Sequence, residues 1–281
     1  MKSPLIFFFF FLLVLTPVVL SQVVQTQVIE LTSKVRDFFI EATKGNIVGQ
    51  ETFNMNGHNE DLGTTEEDVQ EQGGILVFLQ AAEIMSITST SADDTIAGIN
   101  ATTVFIKGLD ENFTEISETV NLSGTTSVNT TQEFIRINDF KVDSVGSYGS
   151  ANQGDIDISG FFDGTIQSFI ESTEGVSHTT HYTVPKGKEI IIVTISASVE
   201  TGKTVEMHLH FRENADDIIA PMSPVNILKD LHGIAGAVTI DVKGNLKFSE
   251  MTDVWFSAST STGPSSDLEV NYDFLQYAIG T

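Results

Sequence analysis

The sequence predicts an all-β protein: two β-sandwich or jelly-roll-like units preceded by one amphipathic helix. Three observations carry this. Runs rich in Val, Ile, Thr and Phe alternate with Gly, Ser, Asn and Asp turn residues from residue 75 almost to the end. Apolar spacing of three and four is confined to residues 22–45. With 41% hydrophobic residues, 19% charged residues and no cysteine, the chain must stabilise itself by core burial and strand pairing, without disulfides.

The first residues, MKSPLIFFFFFLLVLTPVVLSQ, place Lys2 before an apolar run from Leu5 to Leu15. Thr16-Pro17 breaks that run, and Val19-Leu20-Ser21 follows as a small-residue cleavage site. This is the layout of a signal peptide over residues 1–21, removed to leave Gln22 first. The run is shorter than the ~20 residues that cross a bilayer. Membrane contact is therefore expected only through this segment, if it is uncleaved.

Residues 22–45 present Val24, Val28, Leu31, Val35, Phe38 and Ala42 on one helical stripe, and Gly45-Asn46 supplies a stop. Such a helix can dock on the β body or form a short seam between copies of the chain, giving a homo-oligomer. The first β unit is expected over 46–160. Within it, residues 46–73 are acidic and aperiodic and read as irregular surface structure. Strands are expected at Ile75 to Leu79, Met85 to Ser89, Thr102 to Lys107, Phe113 to Leu122, Glu133 to Val142 and Asp155 to Ser159. Gly108 to Asn112 has the composition of a hairpin loop, and the Gly- and Ser-rich stretch from Ser144 to Gly154 that of an exposed one. A second β-sandwich unit is expected over 161–281. Its strands run at Ile166 to Ile170, His178 to Val184, Glu189 to Glu200, Thr204 to Arg212, Ala237 to Val242, Asp253 to Ser259 and Leu268 to Ile279.

The formal charge of −24 comes from 14 basic and 38 acidic residues. No Lys or Arg lies between Lys44 and Lys107. Nucleic acid is not an expected partner, because phosphate contacts need clustered basic side chains. The chain also lacks a Gly-x-Ser-x-Gly elbow, a His-Glu-x-x-His helix and a Gly-rich phosphate loop. The expectation is a protein that is not an enzyme, with no catalytic and no cofactor-binding residues.

The strongest candidate for chemistry is His208-Leu209-His210, because residues i and i+2 of a strand share a face and two imidazoles there can hold a metal. With Gly202 and Glu213 the stretch resembles the first cupin motif, Gly-x5-His-x-His-x3,4-Glu, except that Glu213 stands one residue too close and no second motif follows. The plainer alternative places both histidines on the solvent face of an amphipathic strand, with Met207, Leu209 and Phe211 inward. Acidic pairs Asp93/Asp94, Asp155/Asp157 and Asp216/Asp217 lack the spacing of a calcium loop. Asn100, Asn112, Asn121 and Asn129 each open an Asn-x-Ser/Thr sequon, which export would offer to glycosylation.

The stretch from Thr88 to Ile158 carries a series of further landmarks. They are Ser-x-Asp-Asp-Thr at Ser91 to Thr95, Gly-Leu-Asp at Gly108 to Asp110, Ser-Glu-Thr-Val from Ser117, Leu-x-Gly-Thr-Thr ending at Thr126, Phe-Ile-Arg-Ile from Phe134, and Asn-x-Gly-Asp-Ile from Asn152. In these it resembles a family of uncharacterised virion structural proteins of tailed phages and large aquatic viruses, with a weaker echo at Tyr182 to Lys188. The resemblance runs from about residue 49 to the C-terminus. It implies particle architecture and carries no active site. The signal peptide and helix stand outside it, and they suit a virus that matures through internal membranes, or a viral gene captured by a host.

The functional expectation is a non-enzymatic virion structural or surface protein acting through assembly or attachment, located in the virion or secreted. Its expected partners are itself or other virion proteins. The alternative is a secreted carbohydrate-binding or adhesin-like β-sandwich, in which Trp255, Tyr148 and Tyr182 would stack on glycans.

Overall fold

The computed structural model describes residues 38–263 and 265–280. The signal peptide and the helical stripe before Phe38 lie outside the described residues. What is described of the helix is α1 (Phe38–Thr43). It ends as the glycine predicts: Gly45 has φ +71°, and its N–H donates to the Ala42 carbonyl at 2.9 Å.

The remaining elements are strands. In chain order they are β1 (Gln50–Leu62), β2 (Glu67–Asp68), β3 (Glu83–Ser89), β4 (Ala101–Leu109), β5 (Glu115–Asn121), β6 (Val128–Phe134), β7 (Arg136–Val145) and β8 (Ile156–Gly160). There follow β9 (Ile166–Ile170), β10 (Tyr182–Thr183), β11 (Lys188–Val199), β12 (Val205–Arg212), β13 (Asn226–Ile234), β14 (Ala237–Phe248), β15 (Asp253–Thr260) and β16 (Ser266–Ala278).

Alternation of apolar and polar residues decides which face of each strand is buried. In β3, Met85 and Ile87 are fully buried while Ile84, Ser86 and Thr88 are half-buried; in β12, Val205, Met207 and Leu209 point inward and Glu206, His208 and His210 outward. Two sheets, ordered β6-β3-β8-β9 and β5-β4-β7, share one core containing Met85, Ile87, Val104, Ile106, Phe113, Phe134, Phe140 and Ile158. Two more, ordered β1-β16-β11-β14 and β10-β15-β12-β13 with β2 also on β15, share a second core containing Leu62, Ile190, Ile192, Met207, Leu209, Phe256, Tyr272 and Phe274. The fold is therefore all-β with two sandwich-like units. Full burial of one such Phe or Leu is worth about 1.5–3 kcal/mol.

The two sandwiches nest and do not simply follow one another. β1 and β2 belong to the sheets completed by β10 to β16, and β9 belongs with β8. The inner sandwich is thus spliced between Gln70 and Thr179, which bridge each other as an antiparallel pair. A buried ion pair joins the two bodies. Arg136 at the start of β7 meets Asp253 at the start of β15 in a bidentate contact, Nε–Oδ1 2.9 Å and Nη2–Oδ2 3.1 Å. The same guanidinium donates to the carbonyls of Leu79 and Ile135 and lies over the Phe78 ring at 4.5 Å.

Three expected features fall out differently. Residues 50–62 are a 13-residue strand, where irregular structure is expected. Ile75 to Leu79 joins no sheet: the Val77 and Leu79 carbonyls accept from Gln167 and Arg136, so side chains satisfy the backbone that a ladder would have used. The stretch His178 to Val184 contributes only the two-residue β10.

Candidate functional site

His208 and His210 sit on the outer face of β12, two residues apart, as the alternation requires. The neighbouring strands set what surrounds them. β15 places Ser257 opposite His208 and Trp255 opposite His210, and β13 places Asp230 opposite His208. Beyond β15, β2 pairs Asp68 with Ser257 and holds Glu66, just outside the strand, close to both imidazoles.

The result is a convergence on one atom. Glu66 Oε1 lies 2.8 Å from His208 Nδ1 and 3.2 Å from His210 Nε2, and it also accepts a short bond from the Ser257 hydroxyl. His210 Nε2 is 2.7 Å from Ser257 Oγ. Burial pushes the Glu66 carboxyl up, but hydrogen bonds from Ser257, His208 and His210 outweigh it and hold the group at about 2. On its far side His208 Nε2 meets Asp230 Oδ1 at 3.2 Å, and Asp230 Oδ1 also meets His232 Nε2 at 2.9 Å.

Glu213, the carboxylate suggested by the sequence, lies exposed in the bend after β12 and is not in this group. Glu66 takes its place, separated from His208 by 142 positions in an aperiodic acidic stretch with nothing local to single it out.

The remaining histidines also face carboxylates: His58 with Asp267, His178 with Glu71, and His181 with Asp68, at 2.9, 2.7 and 3.0 Å. The Glu71 contact is the largest influence on His178 and raises its pKa against the opposing effect of burial. His58, Glu71 and His178 form a second group with convergent ligand atoms.

One member of each acidic pair is spent on a loop. Asp94 is fully buried and accepts the N–H groups of Gln153 and Gly154 at 2.8 and 2.9 Å and the Ser89 hydroxyl at 2.7 Å. Asp155 Oδ1 accepts from Ser172 N–H, and Asp217 Oδ2 from Ser223 N–H. Of the aromatic residues suggested for glycan stacking, Trp255 is enclosed, with His210 stacked on it at 5.2 Å and 14° and Phe78 edge-on at 5.6 Å. Tyr182 is buried as well; Tyr148 alone of the three faces solvent. Asn112, Asn121 and Asn129 are exposed and Asn100 is half-buried.

No protein-family profile and no curated protein matches the chain. Among solved structures it is similar to that of infectious bursal disease virus Gt strain, at 9% identity over 87% of this chain and 79% of that one, with a TM-score of 0.21. T=1 particles derived from infectious bursal virus give 8% identity over 82% and 74% of the two chains, TM-score 0.18. The VP2 subviral particle of the same virus gives 8% over 87% and 82%, TM-score 0.17. TM-scores this low establish neither a shared fold nor a shared role.

One further surface stands out. β13 is the outermost strand of its sheet, and both its faces are largely exposed. Ile227 and Leu228 on it, with Ile219, Met222 and Val225 in the segment before it, form an apolar run open to solvent. An unpaired apolar edge is a template for another chain.

Proposed function

We propose that this chain is a non-enzymatic structural component of a virus particle that works by assembly, with the β13 edge as a contact to neighbouring subunits. The exposed apolar run from Ile219 to Leu228, ending on the edge strand of its sheet, is the observation that carries the reading.

The residues of the virion-protein resemblance support it, because each has an architectural task. Asp94 ties the Ser91 to Thr95 element to the Asn152 to Ile156 element, and its carbonyl accepts the N–H of Gly124 in the Leu-x-Gly-Thr-Thr element at 2.7 Å. A side chain at Gly124, whose φ is +63°, would meet the Ala92 backbone at about the same corner. Glu118 of Ser-Glu-Thr-Val accepts the N–H groups of Thr131 and Gln132, and Arg136 of Phe-Ile-Arg-Ile pins the two sandwiches together.

The sequence adds export, with a mature N-terminus at Gln22 and sugar on the exposed sequons. Mass spectrometry of gradient-purified particles against the matching culture supernatant tests the reading. Cleavage at acidic residues is the suitable digestion, since no Lys or Arg lies between Lys44 and Lys107. Peptides at structural stoichiometry in the particles, the first starting at Gln22, are expected. Peptides confined to the particle-free supernatant would overturn it.

A further inference from the structure

We propose that Glu66, His208 and His210 form a binding site for a divalent transition-metal ion of the zinc class, with Asp230 orienting His208 from behind. The site is independent of the assembly reading and is assigned on geometry and donor chemistry.

Glu66, His208 and His210 each offer one ligand atom within 4.8 Å of the other two. Ligands about 2.0–2.1 Å from a tetrahedral ion stand about 3.3 Å apart. The spacings from Glu66 Oε1, 2.8 Å to His208 and 3.2 Å to His210, need to open by no more than about half an ångström. Two imidazoles and one carboxylate are the donor set that borderline ions such as Zn²⁺ and Co²⁺ prefer over Ca²⁺ or Mg²⁺, which favour all-oxygen shells. Ser257 Oγ, beside both Glu66 and His210, stands where a fourth ligand or the water filling that position would sit.

The surroundings of the ligands argue for the same assignment. A metal-bound histidine characteristically gives its second ring N–H to a carboxylate, which fixes its tautomer and orientation. His208 has that arrangement, with Nδ1 toward Glu66 and Nε2 toward Asp230 at 3.2 Å. His210 is held flat against Trp255 at 5.2 Å. Both rings are thereby fixed before any ion arrives, which reduces the ordering cost of binding.

The test is titration of the chelator-treated full chain with Co²⁺, followed by visible absorption, and then displacement by Zn²⁺. One saturable Co²⁺ per chain with the intense visible bands of a four-coordinate site is expected. Glu66→Gln and His208→Asn should each weaken binding by at least about 100-fold and Asp230→Asn by about 10- to 100-fold. Glu71→Gln and Glu213→Gln should leave it unchanged. Absence of saturable binding, retention in a folded Glu66→Gln chain, or loss in Glu71→Gln would each overturn the proposal. NMR of the wild-type imidazole protons during Zn²⁺ addition gives an answer without any variant. Joint movement of the His208 and His210 signals supports the site, and movement of His58 and His178 alone refutes it.

Discussion

The two sandwiches differ in whether their carboxylates face imidazoles. In the inner one, strands β3 to β9 contain no histidine, and the carboxylates of Asp94, Asp110 and Glu118 accept backbone N–H groups at turns and strand ends. In the outer one and the segment leading into it, all six histidines of the chain face carboxylates across or beside the sheets. A carboxylate bonded to backbone amides has a partner that does not titrate near neutrality, whereas one bonded to imidazole does. The inner body thus spends these carboxylates on fixing loop geometry, and the outer body holds the chain's imidazole–carboxylate contacts.

The largest effect is expected where the two sandwiches join. Arg136→Met leaves Asp253, which is wholly buried, without its guanidinium, and is expected to cost about 3–5 kcal/mol. Urea denaturation followed separately by Trp255 fluorescence and by amide exchange in β3 and β4 should show both sandwiches weakened. If only one responds, the pair does not couple them. Within the inner sandwich, Asp94→Ala strands two backbone N–H groups and one hydroxyl. A loss of about 2–4 kcal/mol is expected by the same denaturation measurement.

The contrast in pH response is smaller and has a sign. His178 has a raised pKa when folded, so its pairing with Glu71 stabilises fully below its unfolded value near 6.5 and is lost as pH rises through the folded one. Glu66 is depressed from 4.5 to about 2, so its contribution is present above pH 4.5 and disappears as pH falls toward 2. Thermal melts of Glu71→Gln beside the wild type should therefore converge as the buffer is made alkaline. Melts of Glu66→Gln should converge with the wild type in acid. Smallest in stability is Ile227→Lys on the β13 edge, expected to change unfolding free energy by no more than about 0.5 kcal/mol. Its readout is particle incorporation, which should fall even though the melt does not move.

Where strands bury one face against a local hairpin partner, the sequence shows them plainly: β4 with β5, and β12 with its inward Val205, Met207 and Leu209. β1 is hidden because few of its side chains are fully buried. Its side chains Asn54, Asn56 and His58 bond instead to Asp273, Glu269 and Asp267, more than 200 positions away. β13 shows no clear alternation because both its faces meet solvent. The histidine pair was legible from period-two geometry alone. Glu66 was not, since only the pairing of β2 with β15 brings it there.

The bridge between Gln70 and Thr179 has a consequence for how the molecule is made. The inner sandwich has all its strands once Ile170 has left the ribosome, whereas the outer one must wait for β16, the last to be synthesised, to meet β1. The inner sandwich is therefore completed before the outer one, and β1 waits for β16 throughout. Because the entry and exit points stand side by side, the inner sandwich is an insertion whose two ends a short turn could join, but its removal would strip Asp253 of Arg136 and Thr183 of Asn138.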